Sequence, residues 1–289
     1  MIYNKSGEQI NAAYDYGGSS LSQVYDIDGN ELMEPPTPPI GTNLTVCSYN
    51  IGQWYNGSGA NVPSAKYETY YTLQRATLSA IGADIIAFQE YWEPFSSGHT
   101  VADVIGEYFT SSYRYTGGGT YVKKAIYTNG YTVSNGSYTT FTAGTEGYQK
   151  ATVDIDGRTV WIINAHLATS SNESRKVAEA AELMNIVSGL EYFIIFGDFN
   201  TTCKSTADTE YTTIMKQFVD AGYNVANCAE QFGFKDTWFG ADSSQYPCDH
   251  IITSANIHMS SVAVNNQKFL TPTGDTIDHI PLIAEVTIS

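Results

Sequence analysis

Short apolar runs alternate along most of the chain with polar, turn-rich stretches, the pattern of many strands and few helices. Runs at 44–49, 84–88, 121–127, 148–155, 159–164, 192–196, 249–253 and 282–288 have strand character. Several are apolar throughout, as strands covered on both faces should be. Three stretches switch to helical spacing. Tyr67, Tyr70, Leu73, Leu78 and Ile81 precede Gly82. Residues 174–188 follow Asn172 at the cap position, with Val177, Ala181, Met184 and Val187 inward and Gly189 behind. Tyr211, Ile214, Phe218 and Ala221 precede Gly222. Glycine past the last periodic residue is a helix stop and Asn before the first is a helix start. Strands dominate, helices are separated and no repeat is visible, so a layered α/β domain is expected over 42–289.

Residues 1–41 read differently. They end in Pro35-Pro36-Thr37-Pro38-Pro39, which favours stiff extended backbone, and they predict an N-terminal arm and Pro-rich linker. Within the arm, Val24-Tyr25-Asp26-Ile27 and Asn30-Glu31-Leu32 flank Asp28-Gly29, a tight-turn dipeptide of hairpins. Such an arm suits attachment to a larger assembly, extracellular or phage-tail-like, around a catalytic domain expected to be monomeric. No run of eighteen apolar residues occurs, and the first residues lack the basic end and apolar stretch of a secretory signal. Neither a membrane span nor a leader is expected.

Charge narrows the chemistry. The chain carries 14 Lys plus Arg against 30 Asp plus Glu, a net −16, which excludes a basic coat gripping phosphate backbones non-specifically. A phosphate-bearing substrate would have to be held locally, by a few cations or by a metal.

The apolar strands end abruptly in chemically useful side chains. Leu44-Thr-Val-Cys-Ser-Tyr runs into Asn50, Ile85-Ile-Ala-Phe-Gln into Glu90, Val160-Trp-Ile-Ile-Asn-Ala into His166, and Tyr192-Phe-Ile-Ile-Phe-Gly into Asp198, with Asn200 two further on. Cys248-Asp249-His250 and Ile277-Asp278-His279-Ile280-Pro281 follow late in the chain. If these strands share a sheet, their ends converge on one polar site. Asp198 and Asn200 can point the same way on an extended backbone. Glu90 and Asn50 offer hard oxygen ligands for Mg²⁺ or Ca²⁺, whereas no Cys/His spacing suits structural zinc.

In family order, Ser48-Tyr49-Asn50, Phe88-Gln89-Glu90, Asn164-Ala165-His166-Leu167, Gly197-Asp198-Phe199-Asn200, Asp249-His250-Ile251 and Asp278-His279-Ile280-Pro281 resemble the endonuclease/exonuclease/phosphatase superfamily, which includes DNase I. The resemblance implies a four-layer α/β sandwich, two central mostly antiparallel sheets flanked by helices, with the site at one edge. It also implies divalent-metal-dependent hydrolysis of a phosphate ester, with Mg²⁺, Mn²⁺ or Ca²⁺ as cofactor. The metal would be held by Asn50, Glu90 and Asp278. The catalytic set would be His166, Asp198, Asn200, Asp249 and His279, with His279 as general base held by Asp249.

The motifs leave the leaving group open. A phosphodiester substrate, nucleic acid foremost, is the favoured reading. A sphingomyelinase or phospholipase C-like enzyme, an inositol-phosphate phosphatase, and a non-catalytic module of a larger assembly are the alternatives. Tyr121 and Lys123 are candidate substrate contacts beside Gly117-Gly118-Gly119. DNase I-type enzymes pair the first catalytic His with a Glu on the strand after the metal Glu, yet no acid lies between Glu107 and Glu146. Cys47 reads as a buried thiol inside the first strand. Cys203 and Cys248 are placed similarly to a disulfide of secreted DNase I, a Cys203–Cys228 pairing competes equally, and all three free is the third possibility.

Overall fold

The computed structural model describes residues 2–3, 9–10, 24–25, 31–33, 41–52, 64–91, 94–96, 98–118, 123–169, 172–240, 243–266 and 278–289. The chain divides into two units, Met1–Ile40 and Gly41–Ser289. In the first, Ile2–Tyr3 pairs antiparallel with Gln9–Ile10, and Val24–Tyr25 with Glu31–Met33. The turn expected at Asp28-Gly29 lies outside the described residues.

The second unit is built on two six-stranded sheets. Its elements run β1 (Thr42–Asn50), α1 (Tyr67–Ile81), β2 (Ile85–Gln89), α2 (Val101–Gly106), β3 (Ser111–Tyr115), β4 (Lys124–Thr128), β5 (Val133–Thr140), β6 (Gly147–Ile155), β7 (Arg158–His166), α3 (Glu173–Val187), β8 (Phe193–Asp198), α4 (Lys216–Asp220), β9 (Asn224–Val225), β10 (Asp249–Thr253), β11 (Ile257–Val264) and β12 (Leu282–Ile288). One sheet has the order β11-β12-β1-β2-β4-β3 and the other β5-β6-β7-β8-β10-β9. Small hairpin ladders, including Trp238–Phe239 with Gln245–Tyr246, lie outside them.

Only β1–β2 and β7–β8 are parallel; every other pair in the two sheets is antiparallel. A parallel pair needs a crossover, which α1 and α3 supply. Gly82 closes α1 in the left-handed conformation, φ 64°, its amide bonding the Leu78 carbonyl. Asn172 precedes α3, where its backbone carbonyl takes the amides of Arg175 and Lys176. The third expected helix begins as a π-helical turn, Tyr211–Met215, before α4.

Three cores define four layers. Leu44, Val46, Ile85, Ile126, Ile162, Ile194, Phe196 and Ile251 fill the space between the sheets. Tyr70, Leu78 and Ile81 of α1 and Val101, Val104 and Ile105 of α2 cover the outside of the first sheet against Cys47, Tyr49, Ile86 and Phe88. Ala180, Leu183 and Val187 of α3 with Phe218 of α4 cover the second against Ile163, Phe193 and Ile195. The fold is the four-layer α/β sandwich that the resemblance implies. Among the described residues, no helix is long and apolar enough to cross a membrane.

Helix α3 departs from the face its apolar spacing predicts. The buried positions are Lys176, Glu179, Ala180, Leu183 and Val187, and Ala181 faces solvent. The helix is turned by about one residue, about 100°, because two charged side chains point inward.

Candidate active site

Parallel pairing brings two strand ends to the same edge of a sheet, and it does so once in each sheet. Asn50 registers with Gln89, the residue before Glu90, and His166 registers with Asp198. β10 runs antiparallel to β8, so its first residue, Asp249, registers with Asp198. β12 runs antiparallel to β1 with Leu282 opposite Ser48, which places residues 278–281 at the same edge. His279 is fixed there by pairing with the Trp238 strand: Trp238 and His279 form a β-bridge, and the Phe239 and Ile280 amides bond the Asp278 and Thr237 carbonyls, both at 2.8 Å.

The side chains meet as the register requires. Asn50 Nδ2 donates to Glu90 Oε1 at 3.2 Å and to Asp198 Oδ2 at 3.0 Å. Its Oδ1 accepts from the Gly52 amide at 2.9 Å. His279 Nδ1 donates to Asp249 Oδ2 at 2.8 Å, leaving Nε2 3.6 Å from Asp198 Oδ2. His166 Nε2 lies 3.6 Å from the same oxygen. Asn50, His166, Asp198, Asp249 and His279 are all buried. The backbone is left-handed at Glu90, φ 50°, and at Asn200, φ 51°. Asn200 therefore does not continue the strand. Its amide bonds Asp198 Oδ1 at 2.8 Å while its side-chain Nδ2 donates to the Leu167 carbonyl at 3.0 Å, tying the loop after β7 to the loop after β8.

Electrostatics follow from this packing. Burial raises the Asp198 carboxyl above its usual range against the opposing pull of His279 and His166. Burial alone would depress His279, but the bonded Asp249 carboxylate, then Asp198 and Asp278, outweigh it and raise the imidazole to about 10. A base whose folded pKa exceeds its unfolded value of 6.5 stabilises the fold fully below that value and loses the contribution as pH rises through about 10. In the metal-free protein, the melting temperature is expected to fall between pH 8 and pH 11 more steeply for the wild type than for His279→Ala, checked by thermal melts across that range. Equal slopes would remove the His279 assignment.

A model of the Endonuclease/Exonuclease/phosphatase family matches residues 54–268, most of the chain. The chain belongs to this family. Membership makes it a hydrolase in class, acting on phosphate esters, and such enzymes typically use divalent metals. No curated protein is similar to this member by sequence alone. Solved structures resemble it in fold. The human Nocturnin catalytic domain with bound sulfate is 18% identical, covers 86% of this chain and 97% of its own, and has TM-score 0.61. D. rerio TDP2 complexed with a single-strand DNA product is 13% identical, with coverage of 85% and 99% and TM-score 0.63. ANGEL2, a 2',3'-cyclic phosphatase in complex with adenosine-2',3'-vanadate, is 12% identical, with coverage of 86% and 96% and TM-score 0.61.

The residues of this family member fit a hard divalent cation. Glu90 and Asp198 are held against one neutral amide, and Asp249 Oδ1 is buried with no hydrogen-bond partner among the described residues. Asp198, Asp249 and His279 also place one ligand-type atom each within 4.8 Å of one another. Oxygen-rich donors suit Mg²⁺ or Ca²⁺. Asp278 is exposed, its Oδ2 accepting from the Trp238 indole at 2.8 Å. Of the two expected substrate contacts, Tyr121 lies outside the described residues, and Lys123 is half-buried with its carbonyl bonded to the Tyr91 amide.

Beneath the catalytic edge the inward-facing positions form tiers. Ser48, Gln89, Lys124, Gln149 and Asn164, all buried, make one polar row between the sheets. Gln89 Nε2 donates to Asn164 Oδ1 at 2.8 Å, Asn164 Nδ2 to Gln149 Oε1 at 3.1 Å, and Gln149 Nε2 to the Lys124 carbonyl at 3.0 Å. The next residues inward along the strands, Val46, Ala87, Ile126, Ala151 and Ile162, belong to the apolar core. Lys124 is the one cation of the polar row. Burial lowers it to about 7, against the opposing charges of Glu90, Asp198 and Glu179.

A second support comes from α3 and was not legible in the sequence. Buried Lys176 donates to the Asn200 carbonyl at 2.8 Å and pairs with Glu210, which accepts from the amide and hydroxyl of Thr202. Buried Glu179 accepts from the Ala168 amide at 2.7 Å and from Arg175 Nε at 2.9 Å. One helix face thus holds the loop after β7 and the loop after β8. His250, unassigned from sequence, points away from the site. It bonds Thr201 Oγ1 at 2.7 Å and packs on Phe199, and burial lowers it to about 3. All four cysteines are free and buried.

Proposed function

We propose that this chain is a divalent-metal-dependent phosphodiesterase acting on nucleic acid, hydrolysing its phosphodiester by water attack. The observation that carries the reading is the His279–Asp249 pair, with Nε2 turned toward Asp198 beside the Glu90 carboxylate that Asn50 bonds. Asp249 bonds Nδ1 and so turns Nε2 toward the site; the charge of a bound cation beside the ring would lower the imidazole from about 10, so that Nε2 is free to take the proton of the attacking water. Asp198 and Asn200 position that water and a non-bridging oxygen, and His166 donates to the phosphate or to the leaving oxygen. Glu90 and Asn50 would hold the metal, with Asp278 supporting metal or phosphate binding. When bound, the cation supplies positive charge against the growing charge on the phosphoryl oxygens.

Nucleic acid is favoured over lipid because the ligands named for two fold neighbours, a single-strand DNA product on TDP2 and adenosine-2',3'-vanadate on ANGEL2, are nucleotides. The arm, residues 1–41, is proposed to tether the enzyme in a larger assembly. The test is a panel of plasmid DNA, single-stranded DNA, RNA, sphingomyelin vesicles, inositol phosphates and bis-nitrophenyl phosphate with Mg²⁺, Mn²⁺ or Ca²⁺. Cleavage of a nucleic acid that EDTA abolishes and added divalent ion restores is expected. Cleavage of sphingomyelin alone would overturn the substrate class, and silence on every substrate would favour a non-catalytic module.

A further inference from the structure

The chain is strongly acidic, yet one ammonium is sealed beneath its catalytic edge. Lys124 opens β4 on the inward face, opposite Gln89, one residue from Glu90. It is fully buried, and its Nζ sits 5.8 Å from the Tyr138 ring, in a row otherwise made of neutral amides and a hydroxyl. Tyr138 stacks on Tyr115 at 3.9 Å and 3°, β5 against β3, so the aromatic pair bridges the end strands of the two sheets beside the lysine. An ammonium here is screened little by solvent, and its field reaches the carboxylates above it.

We propose that Lys124 is a resident cation of the active site: without touching substrate, it offsets the Glu90 and Asp198 carboxylates, opposing the divalent ion and favouring the phosphate anion. The inference rests on the proposed phosphodiesterase reading for the metal and stands apart from it for the anion. Its signature is a pair of effects of opposite sign. A unit charge acting across a protein interior is expected to change each affinity by several-fold to about thirtyfold. A purely structural role has no reason to move metal and phosphate affinities in opposite directions.

The experiment uses the full chain at pH 6, where the lysine is charged, with calorimetric titration of inorganic phosphate in EDTA and, separately, of Mn²⁺ alone. Lys124→Met is expected to weaken phosphate binding and tighten Mn²⁺ binding by those factors, with Lys124→Arg keeping both close to wild type. If Lys124→Met does not fold, as judged by its melt, Lys124→Gln carries the same two titrations. Unchanged phosphate affinity, or loss of both affinities together, would overturn the proposal. Weakened phosphate binding with no Mn²⁺ binding even in the wild type would sustain the role of Lys124 and instead overturn the metal-dependent reading.

Discussion

Replacing His279 with alanine is expected to lower turnover by about 10² to 10⁴-fold while leaving the fold in place. The ring sits where two segments are already zipped together, so deleting it leaves the Trp238 bridge and the flanking amide bonds intact. What is lost is the imidazole bonded to the buried Asp249 carboxylate. Asp249 would then be a buried charge without its partner, so a modest fall in melting temperature accompanies the loss. The check is steady-state kinetics on the cleaved substrate together with circular dichroism. Turnover within threefold of wild type would remove His279 from the mechanism. His166→Ala should lose less if the ring only assists the leaving group.

The largest stability effect is expected at Lys176, behind the loop that carries Asn200. Lys176→Met leaves Glu210 and the Asn200 carbonyl without their buried donor, and breaking one side of such a pair costs about 3–5 kcal/mol. Removing both sides in Lys176→Met/Glu210→Met should restore part of this, since a buried ion pair replaced by apolar groups of similar volume is often close to neutral. Urea denaturation of the two variants decides it. A single variant as stable as wild type would show that the pair contributes nothing. Because Asn200 is anchored through its carbonyl, the single variant should also lose turnover in its remaining folded fraction.

Sequence and structure agree where the physics is local. β2, β7 and β8 hold continuous apolar runs, buried like β1 and β10 along the length that reaches the site, and their polar endings are visible because a change from Ile or Phe to Glu, His or Asp is abrupt. β3, β5 and β11 were missed for the opposite reason. They lie at or near sheet ends, and β5 reads Val-Ser-Asn-Gly-Ser-Tyr-Thr-Thr, mostly exposed and bulged between Ser134 and Ser137. Nothing in such composition demands a strand; its partner β6 imposes it. α2 is six residues long, too short for periodicity, and only the reciprocal Thr100–Asp103 capping box marked it.

The α3 brace shows a different limit. Apolar spacing placed Val177, Ala181 and Met184 inward, because periodicity assigns Lys and Glu to solvent. The loops after β7 and β8 offer bare amides and carbonyls at that depth, and only charged side chains of that reach satisfy them. That demand arises from tertiary structure, so a helical wheel cannot contain it.

The tiering between the sheets has a practical consequence. A row of mutually bonded amides stands between the charged edge and the apolar rows, so the edge can be altered without disturbing what holds the sheets together. Variants stripped of their chemistry should remain assembled and keep the strand edge that meets their ligand. Under the proposed reading such proteins serve as traps: incubated with a mixture of candidate phosphodiesters, they retain uncut the one that the intact enzyme hydrolyses.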